Sequence, residues 1–233
     1  MIHLLAAAGR FTASTLTAAA ESIVSGPPAA WGIAYCHGGR LEWLHSALAP
    51  ANDTAEEARP GTDADYSALA DLRTDMAMFV IHSDTRIVSR REIQPFARRE
   101  PLRAWAFCNL GRIEHPELLD TGPRAAETAD PGEKFFLHLL DRLNPDQPVE
   151  SAESILAGMS EETAVRFALM CPEWLLIGLR QRPDAATPLW KGRGDLLLVI
   201  ASQPVSNLPG VSHWAQLTGD AVLAVTRQPR ELL

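Results

Sequence analysis

Trp105-Ala106-Phe107-Cys108-Asn109-Leu110-Gly111-Arg112-Ile113 is the stretch on which the fold of this chain turns. Residues 103–108 alternate well enough to be a β-strand, and the run then leaves the strand through Gly111. Working upstream, residues 76–82 read as a buried strand. Before it, residues 31–35 and 40–45 are two strand-like runs separated by His37-Gly38-Gly39, a hairpin signal. Residues 2–7 are short and apolar and suit a buried strand. Ser14 is a helix cap, and the helix behind it is expected to run to about residue 25, where Gly26-Pro27-Pro28 ends it. The polar, acidic stretch 49–65 reads as a long surface loop, followed by a short helix over 66–72. The arginine-rich segment 86–99 suggests an exposed connection.

Downstream of the opening stretch, residues 118–131 are loop-like. Residues 133–143 are helical, with Phe136, Leu139, Leu140 and Leu143 on one face. Residues 151–157 and 160–163 read as helical. Residues 166–171 and 174–181 fit two strands turned at Pro172-Glu173, or else one longer helix through 165–170; local pattern does not decide. Residues 196–201 and 222–226 are strand-like. No internal repeat or low-complexity linker interrupts the chain, so residues 1–233 are expected to form one α+β domain.

Composition excludes several classes of function. The formal charge of −8 argues against a nucleic-acid binder, which needs a basic face. Cys36, Cys108 and Cys171 lie far apart with no CxxC, so neither a disulfide framework nor a zinc knuckle is indicated. The longest apolar run, 196–201, is too short to span a bilayer. The first eight residues lack a basic region and make a poor signal peptide, so a cytoplasmic protein is expected. Walker A, Gly-x-Gly-x-x-Gly and Gly-x-Ser-x-Gly motifs are all missing, and no histidines pair as HExxH. Neither a cofactor nor a metal is indicated. His82, two residues before Asp84, reads as a structural histidine at a strand end.

Read in order, a set of short pieces resembles the class II glutamine amidotransferases of the N-terminal nucleophile hydrolase superfamily. Met1-Ile2-His3-Leu4-Leu5-Ala6 stands where that family has Met-Cys-Arg-Leu-Leu-Ala, and Trp31-Gly32-Ile33-Ala34-Tyr35 resembles its Trp-Gly-Ile-Gly-Trp strand. Phe79-Val80-Ile81-His82 resembles the strand ending His-Val-Arg. Glu92-Ile93-Gln94-Pro95-Phe96 resembles Asn-x-His-Pro-Phe, and the opening stretch resembles Phe-Ala-His-Asn-Gly-x-Ile. Residues 133–140 resemble the helix opening Thr-Asp-Ser-Glu, and Ala201-Ser202-Gln203-Pro204 before Trp214 resembles Ala-Ser-Glu-Pro…Trp. The resemblance implies a four-layer αββα sandwich, two antiparallel sheets packed face to face between helices. It also implies a hairpin over 166–181.

The resemblance implies a reaction as well: an N-terminal cysteine attacks the side-chain amide of glutamine, with the free α-amine as base. Here the second residue is Ile2, which has no nucleophilic atom and is a poor context for removing Met1. The Asn-Gly pair of the family's oxyanion hole matches Leu110 and Gly111. Sliding the match by one places Asn109 in the Asn slot, but leaves Leu110 for the glycine and breaks the Ile113 match. The arginine that clamps the substrate carboxylate matches Asp84, and the aspartate that holds its amine matches Pro131. These losses together suggest a catalytically inactive member whose vestigial positions are Ile2, Leu110 and Gly111. It would act as a partner of an active relative or of a synthetase, or as a small-ligand binder with Asp84, Arg86, Asn109 and Arg112 lining the site. The alternative is a surviving amidohydrolase on glutamine or a γ-glutamyl compound with a non-standard nucleophile, for which Cys108 is the candidate.

Overall fold

The computed structural model describes residues 2–24, 28–47, 73–83, 90–182, 188–206, 208–226 and 231–232. In chain order the first elements are β1 (Ile2–Thr12), α1 (Ala13–Ile23), β2 (Ala30–His37), β3 (Arg40–Ala47) and β4 (Arg73–His82). After them come β5 (Phe96–Arg99), β6 (Ala104–Asn109), α2 (Pro131–Arg142), α3 (Pro148–Ala157), β7 (Val165–Met170) and β8 (Trp174–Arg180). The last are β9 (Leu189–Arg193), β10 (Leu197–Ala201), β11 (His213–Leu217), β12 (Ala221–Thr226) and β13 (Glu231–Leu232). The strands form two antiparallel sheets, ordered β11-β9-β10-β1-β4-β2-β3 and β13-β12-β8-β7-β6-β5.

The two sheets pack face to face. Small and medium-sized apolar side chains line the gap: Leu4, Ala6 and Ala8 of β1 and Met78 and Val80 of β4 meet Ala106 and Cys108 of β6 and Ala168 of β7. The outer face of the first sheet is covered by α1 through Leu16, Ala19, Ala20 and Ile23. The outer face of the second is covered by α2 and α3, where Phe107 stacks on Phe136 at 5.3 Å and lies against Phe135 and Phe167. Layered helix–sheet–sheet–helix, this is the αββα sandwich implied by the resemblance. Leu4 to Ala8 are all buried because β1 is a central strand covered on both faces, so its sequence is an unbroken apolar run.

Local chemistry explains the connections. Gly38 and Gly39 both take positive φ, 56° and 79°, and close the β2–β3 hairpin in two residues. Asp130 caps α2 by accepting from the Gly132 N–H at 2.6 Å, Pro131 opens the helix, and Arg142 sits in its last turn. Residues 165–180 form the hairpin, with the Cys171 N–H donating to Trp174 O at 3.0 Å across Pro172-Glu173.

Several expectations are corrected. The cap position of α1 is Thr12, not Ser14; Thr12 makes no side-chain bond to the backbone, and its hydroxyl lies 2.8 Å from that of Ser14. Residues 160–163 form a single turn, closed by Thr163 N–H to Ser160 O, too short to propagate a helix. Within 86–99, Ile93, Gln94 and Phe96 are buried and β5 is a paired edge strand. The expectations for 49–65, 66–72 and 86–89 lie outside the described residues.

Phe107 is fully buried at the centre of the outer aromatic cluster. Phe107→Ala is expected to lower unfolding stability by about 3–5 kcal/mol, read from urea denaturation midpoints at unchanged slope.

Candidate functional site

The site expected from the resemblance lies where one end of each sheet meets the other. In the first sheet, Ile2 at the start of β1 pairs with His82 at the end of β4, and Ala30 of β2 flanks His82 on the other side. In the second sheet, the matching end is Asn109 at the end of β6. Gln94 ties the two together. Its backbone N–H donates to His82 Nε2 at 3.1 Å, and its side-chain Oε1 accepts from the Asn109 N–H at 2.8 Å. Next to it, His45 Nε2 lies 2.9 Å from Pro95 O. Gly32 is required here, since a Cβ would sit 2.3 Å from Gln94 O and 2.8 Å from Pro95 Cδ.

His82 is thereby a structural histidine. Burial pulls its pKa down to about 4, so the ring is neutral at pH 7 and free to accept the Gln94 proton. His45 is lowered in the same direction, again by burial.

Ile2 is half-buried and packs against the inter-sheet core, the same cluster that holds Leu110. Leu110 is 5% exposed, and its backbone is consumed by the β6–β7 ladder: its N–H donates to Arg166 O at 2.7 Å and its O accepts from the Arg166 N–H. Gly111 has φ 147°, and a Cβ there would lie 2.5 Å from Ala164 O, so close approach of two strands demands glycine. Its carbonyl accepts from Asn109 Nδ2 at 3.3 Å.

Two residues of the expected ligand set, Asn109 and Arg112, are described, and their surroundings differ. Asn109 is buried beside the start of α2, where a Cβ on Gly132 would meet its own Cβ at 3.3 Å, and its Oδ1 has no hydrogen-bond partner. Arg112 is 83% exposed and pairs with Glu114 at 2.7 Å. Asp84 and Arg86 lie outside the described residues. Cys108 is fully buried between the sheets; burial, and then the Asp130 carboxylate, push its thiol far above the ordinary range. Such a thiol is inert. The described residues bring no three His, Cys, Asp or Glu side chains together as a metal site.

The start of α2 is acidic but internally satisfied. Glu133 accepts from the backbone N–H groups of Glu127 and Thr128 at 2.8 and 2.7 Å and from the Thr128 hydroxyl at 2.7 Å. Asp130 is held above the usual carboxylate range by burial and by the nearby charges of Glu92 and Glu133. Sequence reasoning missed the bridging role of Gln94 and also the buried Arg166. A single cation inside the apolar strand Val165–Met170 was the visible signal for Arg166.

This two-sheet architecture is that of the class II glutamine amidotransferases, the N-terminal nucleophile hydrolase fold. The glutamine phosphoribosylpyrophosphate amidotransferase of B. subtilis superposes with a TM-score of 0.72 at 15% identity over 99% of this chain and 48% of its own. An allosteric regulatory enzyme of purine biosynthesis gives 0.76 at 15% identity, again over 48% of its length, so this chain spans about half of each. A predicted glutamine amidotransferase from Pseudomonas aeruginosa gives 0.62 at 12% identity, covering all of this chain and 98% of that one. No family model and no curated protein matches the sequence.

The depressed pKa of His82 sets a pH dependence. With the folded pKa below the unfolded one, the unfolded chain binds the extra proton, so this contribution is full above about pH 6.5 and is lost as pH falls towards 4. Between pH 7 and pH 4, wild type is expected to lose about 2–3 kcal/mol more unfolding stability than His82→Gln, measured by urea titration at each pH.

Proposed function

We propose that this chain keeps the amidotransferase scaffold without its amide-hydrolysing reaction, and that it works by binding, as a small-ligand binder or as the partner of an active relative or a synthetase. The observation that carries this reading is the contact of Ile2 and Leu110 with one apolar core, at the two positions the resemblance gives to the nucleophile and to the oxyanion donor. A tetrahedral intermediate needs a nucleophilic atom and hydrogen-bond donors aimed at its oxygen. Two aliphatic side chains supply neither. Loss of one side-chain oxyanion donor alone costs roughly 3–4 kcal/mol of transition-state stabilisation. Pro131, in the place of the amine clamp, opens α2 and carries no polar side-chain atom.

Cys108 does not rescue the chemistry, because its thiol is sealed between the sheets and stays protonated at physiological pH. Whatever reaches this end of the sandwich meets an apolar floor and is held by groups other than a catalytic thiol.

The test is ammonia release from L-glutamine, and nitroanilide release from a γ-glutamyl anilide, by the native chain beside its Cys108→Ala variant. Both are expected to stay at the level of heat-inactivated protein. Turnover by the native chain that vanishes in Cys108→Ala would overturn the reading and reinstate a non-standard nucleophile.

A further inference from the structure

Arg166 is a buried cation with no counter-charge among the described residues. Along β7, Val165, Phe167 and Leu169 belong to the outer aromatic core, whereas Ala168 and Met170 belong to the inter-sheet core. Alternation along the strand places the Arg166 side chain between the sheets. Its ladder neighbours, Leu110 and Leu179, are both members of that inter-sheet core. The residue is 4% exposed, and its Nε has no hydrogen-bond partner. Among the described residues no carboxylate forms an ion pair with it, and burial alone lowers its pKa.

Two other sheltered arginines are satisfied. Arg124 is held by both oxygens of Glu100 and by Asp141. Arg180 donates to the carbonyls of Leu156 and Met159. An unpaired guanidinium is costly in an apolar interior, and it does not escape by losing its proton. A bound anion would supply the missing partner.

A second orphan lies at the same end. Ser202 follows β10, where Leu198 and Ile200 face the inter-sheet core and Val199 and Ala201 face outward, so alternation sets Ser202 on the inner side. Its N–H donates to Leu4 O at 3.0 Å, two residues from Ile2. Its hydroxyl is buried and has no partner. Ser202 of the first sheet and Arg166 of the second, like the Asn109 Oδ1, are therefore left without a partner at this end of the sandwich.

We infer that Arg166, assisted by the Ser202 hydroxyl, forms the binding site for a small oxyanion, a carboxylate or a phosphate, between the two sheets. This rests on the binding role proposed above and gives it a ligand chemistry. The guanidinium offers paired N–H donors to two oxygens of one anion, the geometry arginine favours for both groups. The neighbouring aliphatic surfaces of Leu110 and Leu179 exclude water and strengthen that contact.

The test is thermal denaturation of the full chain at constant ionic strength, with sodium chloride exchanged for sodium phosphate in one arm and sodium succinate in the other. At saturation one of the two is expected to raise the Tm of wild type by about 3–6 °C, and the arm that responds identifies the oxyanion. Arg166→Met, which keeps the stem and removes the charge, is expected to reduce that rise to about 1 °C or less, while Arg142→Met on the outer surface of α2 retains it in full. Arg166→Lys, which keeps the charge but loses the paired donors, is expected to show a partial rise. Should Arg166→Met fail to fold, the wild-type and Arg166→Lys arms still decide. Absence of any anion-dependent rise in wild type, or an equal rise in Arg166→Met, overturns the inference. Glutamine turnover by the same preparation would sink the non-catalytic reading while leaving the anion response to be judged on its own.

Discussion

The side chain and backbone of Gln94 carry the connection on which one whole end of this sandwich depends. One amide side chain and one backbone N–H join the end of β4, through His82, to the end of β6, through Asn109. Both partners are buried, so neither bond competes with water, and breaking either leaves an unsatisfied polar group inside. The bridge requires a neutral His82, which burial provides. It also requires a bare backbone at Gly32, where any side chain would strike Gln94 and Pro95. With that end fixed, Ile2, Leu110 and Arg166 face the same inter-sheet space, and its chemistry follows from these three side chains.

The positions that the resemblance gives to catalysis have packing roles in this structure. Gly111 illustrates it: the glycine is kept for the close approach of Ala164, a reason independent of any oxyanion. Leu110 spends both backbone groups on the ladder to β7 and its side chain on the core. Glu133, at the start of the helix that follows, anchors residues 127 and 128 through three accepted hydrogen bonds. Each residue has a structural account that needs no substrate. Arg166 does not, because nothing among the described residues compensates its charge.

The framework was legible wherever burial writes a plain pattern. The unbroken apolar runs of β1 and β4 and the Gly38-Gly39 turn survive in the structure, while the hairpin over 165–180, which local pattern left open, follows the resemblance. What escaped was structure whose cause is tertiary. The strand β9 carries Lys191, Gly192 and Arg193 and shows no strand pattern, because Gly192 lies under Trp214 and Val211, where a Cβ would stand 2.8 to 3.0 Å from their atoms. The edge strand β5 was hidden by Arg98 and Arg99, charges that suit an edge. Ser160 to Thr163 has the opening of a helix but no room to continue before β7 begins. At the site, the expectation of an apolar residue at position 2 needed only the sequence. The bridging role of Gln94 joins groups 12 and 15 residues away and has no local signature.

The inter-sheet end of this scaffold is proposed to hold no nucleophile. This is tested most directly by exposing the native chain to a diazoketone analogue of glutamine, which alkylates whatever attacks the γ-position, and weighing the intact protein by mass spectrometry. An unchanged mass after prolonged exposure at neutral pH is expected. A stoichiometric adduct, blocked by excess glutamine and mapping to this end of the sandwich, would contradict it.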